Sequence, residues 1–174
     1  RMTRDLSAWI EQHAASSPDR VAIRFEGAEI SYRALYARIQ SAAGFFHNTH
    51  DIGRGDRVAY LGFNTPECVI ALFACAKLGA VYLPLNWRLA LPELDHVLGH
   101  AEPKVLIADS PHREAAVGLV TARSECTLID CANVVSASED SDTALMESNF
   151  GGGLDVPLLL VYTSGTTGQP KGVV

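Results

Sequence analysis

A chain of 174 residues has room for one domain or for part of a larger one, and 48% hydrophobic residues are enough for a buried core. The formal net charge is −6, with no run of like charges long enough to form a tail. That argues against a nucleic-acid surface, which needs basic residues over many phosphates, but a nucleotide needs only a few local donors and stays open.

No secretory signal opens the chain. The first elements are two short strands, Val21–Phe25 and Ala28–Ile30, joined at Glu26-Gly27. Ser31 is placed to cap a helix whose apolar positions Tyr32, Leu35, Tyr36, Ile39, Ala42, Ala43 and Phe46 recur at helical spacing. Gly53 and Gly55 turn the chain into a strand over Arg57–Leu61. Thr65 at the cap, Pro66 at the first helical position and Gly79 at the left-handed stop bound a second helix. Its residues Val69, Ile70, Leu72, Phe73, Ala74 and Ala76 leave almost no polar face, which predicts burial on most sides. Strands over Val81–Leu83, Val105–Ala108 and Thr127–Asp130 alternate with helices over Pro92–Gly99 and Arg113–Val120.

Strict alternation of strand and helix indicates an α/β fold with layered, largely parallel sheets flanked by helices. The pattern lapses between Ser136 and Asp155, where small and acidic residues predict a loop or linker over 136–156. An apolar strand, Pro157–Tyr162, follows. The stretch Pro66–Leu85 is long enough to cross a bilayer, but Glu67, Lys77, Gly79 and Pro84 break it into soluble helix and strand, so no transmembrane segment is expected.

Several residues invite a chemical role and receive a structural one. Cys68, Cys75, Cys126 and Cys131 form no CxxC pair and read as core thiols in a reducing, cytoplasmic setting. His96 and His100 lie four apart, but Val97 stands where a zinc-binding HExxH helix has Glu, so no metal ligand is expected. Lys77 reads as a capping or snorkelling cation, Trp87 and Arg88 as holding a connection, and Trp9, Phe45 and Phe46 as core or interface material.

The run Thr163-Ser164-Gly165-Thr166-Thr167-Gly168-Gln169-Pro170-Lys171-Gly172 concentrates what a polyphosphate requires. Glycines let backbone N–H groups approach anionic oxygens, hydroxyls donate further hydrogen bonds, and Lys171 supplies charge. It is not a Walker A loop, because Pro170 precedes the lysine and Gly172 follows it. No helix begins there, so the expected layout is strand–loop–strand.

The segment Tyr162 to Gly172, YTSGTTGQPKG, closely resembles the phosphate-binding signature of the adenylate-forming superfamily, which joins acyl-CoA synthetases, peptide-synthetase adenylation domains and luciferases. SYRALYARIQSAAGFF and GDRVAYLGFNTPECVIALFACAKLGAVYLPLNWRL are similar to the opening of the same family, in the same order. The resemblance implies the N-terminal part of a domain that binds ATP, with Thr163, Ser164, Gly165, Thr166, Thr167, Gly168 and Lys171 contacting phosphate. It also implies Mg²⁺ through residues beyond this segment, a small-molecule carboxylic acid as substrate and CoA as co-substrate. No residue here matches a proton-transfer role, so no catalytic residue is expected in this segment. Pro84-Leu85-Asn86-Trp87-Arg88-Leu89 resembles the PLNxRL stretch of acyl-CoA synthetases, where adenylation domains tend to carry an acidic residue in place of Asn86. The expected activity is therefore an AMP-forming acid–thiol ligase. The alternatives are a peptide-synthetase-type adenylation domain or a non-catalytic truncated binding module. The family's later signatures and its C-terminal lid domain are absent, and the chain stops as a strand begins. The remainder of its own chain is thus an expected partner, and the full-length protein could form a homo-oligomer.

Overall fold

Local punctuation builds the first layer. In the computed structural model, which describes residues 5–136, 152–163 and 171–174, helix α1 (Ser7–Ser16) leads into an antiparallel hairpin of β1 (Val21–Phe25) and β2 (Ala28–Ser31). The turn between them places both Glu26 and Gly27 at positive φ (48° and 81°), as the twist of a two-residue hairpin requires. Ser31 then caps α2 (Tyr32–His50), its Oγ accepting the Ala34 N–H at 3.2 Å.

Four parallel strands form the centre: β3 (Arg57–Leu61), β4 (Val81–Leu85), β5 (Val105–Ala108) and β6 (Thr127–Asp130), in the order β4-β3-β5-β6. Helices α3 (Pro66–Leu78), α4 (Leu91–Ala101) and α5 (Arg113–Thr121) connect them. Strand side chains alternate between two cores. Val58, Tyr60, Tyr82, Val105, Ile107 and Ile129 face α2, α3 and a short helix α6 (Cys131–Ser136), which the sequence reading did not anticipate. Ala59, Leu61, Leu83, Leu85, Leu106 and Ala108 face α4 and α5. The result is helix, sheet, helix, with Phe46, Ile39, Ile70 and Leu106 fully buried. Each such side chain contributes about 1.5–3 kcal/mol by leaving water.

Two helix ends differ in an instructive way. Gly79 ends α3 at φ 69° as its position predicts, and Pro66 opens it. Thr65 occupies the N-cap position but makes no side-chain cap. Its hydroxyl instead pairs with the Tyr60 hydroxyl at 3.3 Å, and its carbonyl accepts the Cys68 thiol at 2.9 Å. A tertiary partner has drawn the hydroxyl away from the helix.

Other boundaries moved for similar reasons. Strand β4 runs two residues past the expected Leu83, through Pro84, because Tyr60 and Leu61 of β3 pair with Pro84 and Leu85. Val81 donates toward the β3 side, so by alternation the nitrogen of Pro84 faces away from β3, where the missing donor breaks no ladder bond. Trp9 is 64% exposed and so is not core material, whereas Phe46 is fully buried. The expected strand Pro157–Tyr162 is divided. Leu159 bridges Tyr82 in parallel, with Tyr82 N donating to the Leu158 carbonyl at 2.7 Å and Leu160 N donating to the Tyr82 carbonyl at 3.0 Å. From Val161 the chain leaves the sheet as β7 (Val161–Thr163), which pairs with β8 (Lys171–Val173). Residues 137–151, most of the expected linker, lie outside the described residues. No helix among the described residues is long and apolar enough to cross a membrane.

Candidate functional site

The two ends of the glycine- and threonine-rich run lie in strands, as expected. Strands β7 and β8 are antiparallel, with Val161 opposite Val173, Tyr162 opposite Gly172 and Thr163 opposite Lys171. Thr163 and Lys171 therefore face each other where the two strands give way to residues 164–170, about 4.5–5.5 Å apart at Cα by antiparallel geometry. Both are exposed. Ser164, Gly165, Thr166, Thr167 and Gly168 lie outside the described residues.

The stem rests on the sheet's flank. Tyr162 packs against the core between the sheet and α4, and a cleft of about 230 Å³ opens beside it, lined by Pro84, Leu85, Asn86, Leu89, Val97, Val161 and Tyr162. Burial pushes the Tyr162 phenol above its ordinary pKa, so it stays protonated. Its hydroxyl is hydrogen-bonded to His100 Nδ1 near the end of α4.

A second group of side chains gathers at the C-terminal ends of the parallel strands, the edge where open α/β sheets bind ligands. Asp109, directly after β5, is 9% exposed. Its carboxylate accepts the Phe63 N–H at 2.8 Å and the His112 N–H at 3.1 Å, and it pairs with the His112 ring. The rings of Phe63, Trp87 and His112 meet above it, with centroids 4.9–5.7 Å apart. The Arg88 guanidinium stacks 4.8 Å from the Trp87 ring. Trp87 and Arg88 thus do more than hold a connection: they form an open aromatic and cationic rim, with Trp87 39% exposed. The sequence signal for this cluster is Asp109-Ser110-Pro111-His112, a capping residue ahead of a proline that matches no ligand-binding motif.

The remaining candidates are structural. All four cysteines are free thiols. Burial pushes Cys75 well above its ordinary value and Cys131 up to about 11, so neither is a nucleophile at neutral pH. Lys77 lies 5.9 Å over the Tyr36 ring. Among the described residues no group of three or more His, Cys, Asp or Glu could hold a metal ion.

The architecture is thus a parallel α/β domain with a short antiparallel pair, β7 and β8, at the two ends of the Gly/Thr run. The chain belongs to the AMP-binding enzyme family, whose profile matches residues 10–174. It is 37% identical over 177 residues to an indoleacetate–CoA ligase of Aromatoleum aromaticum, covering 98% of this chain and 34% of that protein. It is 39% identical over 169 residues to a feruloyl-CoA synthase of an Amycolatopsis species, covering 97% and 33% respectively. Among solved structures it is similar to a Mycobacterium tuberculosis fatty acyl CoA synthetase, with a TM-score of 0.84 at 29% identity over 98% of this chain and 34% of that one. The chain therefore spans about a third of the length of the relatives it matches.

Proposed function

We propose that this chain is the N-terminal segment of the AMP-binding domain of an ATP-dependent acid–thiol ligase. The observation that carries the reading is the β7–β8 hairpin, which sets Thr163 and Lys171 across from one another at the two ends of the Ser164–Pro170 loop. Thr163, Ser164, Gly165, Thr166, Thr167, Gly168 and Lys171 hold the β- and γ-phosphates of ATP through hydroxyl, backbone N–H and ammonium donors. A carboxylate oxygen of the substrate attacks the α-phosphorus, and the bond from that phosphorus to the bridging oxygen of pyrophosphate breaks. The thiol of CoA then attacks the acyl carbon, and AMP leaves. The loop's part is positioning and stabilisation of charge on the departing pyrophosphate, with no proton transfer asked of it.

Magnesium fits this chain poorly as a protein-bound ion, given its lack of a carboxylate cluster among the described residues. It would come with the nucleotide and be completed by residues this chain does not supply. Two relatives, 37% and 39% identical, are named for indoleacetate and ferulate, which supports an aromatic carboxylic acid as substrate class. Leu159 just before the hairpin, and Val161 and Val173 on it, are 36–56% exposed, an apolar surface that the remainder of a longer chain would cover.

The test is carboxylate-dependent exchange between ATP and pyrophosphate in the full-length protein. Lys171→Ala should slow it by roughly ten- to a thousandfold, the effect of losing a charged contact of about 1.5–4 kcal/mol. Unchanged exchange would remove the loop from the reaction.

A further inference from the structure

We propose that His100 and Tyr162 together form a strut that sets the position of the phosphate loop, making both of them positioning residues for adenylation. The inference rests on the ATP reading of the loop and adds residues outside its Gly/Thr run.

Each strand of the hairpin is only three residues long. A two-stranded ribbon of that length is marginal by itself, so its position depends on what holds it from outside. The backbone just before β7 is held by its pairing with Tyr82, and the Tyr162 ring adds a side-chain hold on the strands themselves. On one side it lies across β8: a Cβ added at Gly172 would fall 3.1 Å from its Cζ, closer than most real contacts, so the ring fits there because residue 172 is glycine. On the other side its hydroxyl reaches α4, where it is hydrogen-bonded to His100 Nδ1, with the two rings edge to face at 5.7 Å between centroids. One side chain thereby ties both strands of the hairpin to a helix anchored in the second core. Tyr162 immediately precedes Thr163, and Gly172 immediately follows Lys171. Any tilt of the ring is therefore transmitted directly to the two residues at the mouth of the loop.

His100 is exposed, and α4 is already held by Leu94, Val97 and Leu98 in the core. The imidazole is thus not needed to keep the helix in place. Its described contacts are with Tyr162, and those set where the hairpin stands. Phosphate donors displaced by a fraction of an ångström lose much of their effect on a reaction whose protein contribution is positioning.

The experiment is steady-state adenylation by the full-length protein, with Mg·ATP and the carboxylic acid varied separately. His100→Ala and Tyr162→Phe should each lower kcat/KM for ATP by about 2- to 12-fold, the range of one net hydrogen bond, and leave KM for the acid unchanged. The double variant should be no worse than the poorer single, because both remove the same strut. His100→Asn, whose amide can hydrogen-bond the phenol in either direction, should stay within about twofold of the parent. Losses that multiply in the double variant, equal rises in KM for both substrates, or unaltered ATP kinetics in His100→Ala would each overturn the strut. A parallel Lys171→Ala measurement separates the two levels. If that variant falls while His100 and Tyr162 prove independent, the loop binds phosphate without the strut; if it is unaffected, both readings fail.

Discussion

Gly62 offers a test of the crevice at the strand ends that depends on geometry alone. It is buried directly after β3, and a Cβ placed on it would lie 2.8 Å from Asp109 Oδ2, 2.9 Å from Cγ and 3.2 Å from Cβ. The carboxylate cannot simply swing aside, because it accepts the N–H groups of Phe63 and His112 and pairs with the His112 ring. Gly62→Ala must therefore either strain the backbone, at about 1–3 kcal/mol, or break the bond to Phe63 and leave a donor unpaired, at a similar cost. These are alternatives, so the expected destabilisation is about 1–3 kcal/mol rather than their sum. Asp109→Ala removes the two closest obstructing atoms and the acceptor together and should cost about 2–4 kcal/mol through the lost cap and the orphaned Phe63 N–H. In that background Gly62→Ala meets only the remaining Cβ at 3.2 Å and should cost much less, so the double-mutant cycle carries a coupling of about 1–3 kcal/mol. Urea unfolding of the intact protein followed by tryptophan fluorescence is the assay, since Trp87 stacks edge-on against Phe63 at 5.0 Å between ring centroids. Additive effects of the two substitutions would refute the packing described here.

Two further predictions concern titration and completeness. Cys75, Cys131, Tyr60 and Tyr82 all have pKa values raised by burial above ordinary values of 9.0 and 10.0. The unfolded chain loses these protons first as pH rises, so stability should be insensitive to them below about pH 9 and should fall above it. Urea midpoints across that range check the sign, and rapid labelling of native Cys75 by a thiol reagent at neutral pH would contradict its burial. Residues 1–174 alone should not bind Mg·ATP tightly, because the other contacts of the proposed site lie elsewhere and few donors remain to hold the nucleotide. Isothermal titration giving a low-micromolar Kd for the isolated segment would show a more local site.

Much of the fold was legible because its punctuation is local. Ser31, Gly53, Gly55, Pro66 and Gly79 act through backbone geometry within a few residues, and β3, β5 and β6 fall within the expected limits. What escaped the sequence depends on distant partners. The hydroxyl of Thr65 was assigned to a helix end, but Tyr60 on the neighbouring strand claims it. Asp109 reads as an ordinary capping residue until Phe63, 46 positions earlier, is folded against it. The strand before the loop reads as one apolar run, yet it serves two pairings in turn, with Tyr82 and then with β8, a division no periodicity encodes. The loop was found by the order of its residues rather than by any pattern of burial. His100 was weighed as a metal ligand, and its tie to Tyr162, 62 positions away, left no mark in the sequence.

The central claim is that the parent protein activates a carboxylic acid by joining it to AMP. The most direct measurement supplies an aromatic carboxylic acid labelled with ¹⁸O in its carboxylate, together with ATP, Mg²⁺ and CoA, to the full-length protein and analyses the nucleotide product by mass spectrometry. Attack of the carboxylate on the α-phosphorus, followed by thioester formation, leaves one labelled oxygen on AMP. The account predicts that label, in step with acyl-CoA produced. ADP as the nucleotide product, or AMP free of label while thioester accumulates, would contradict it.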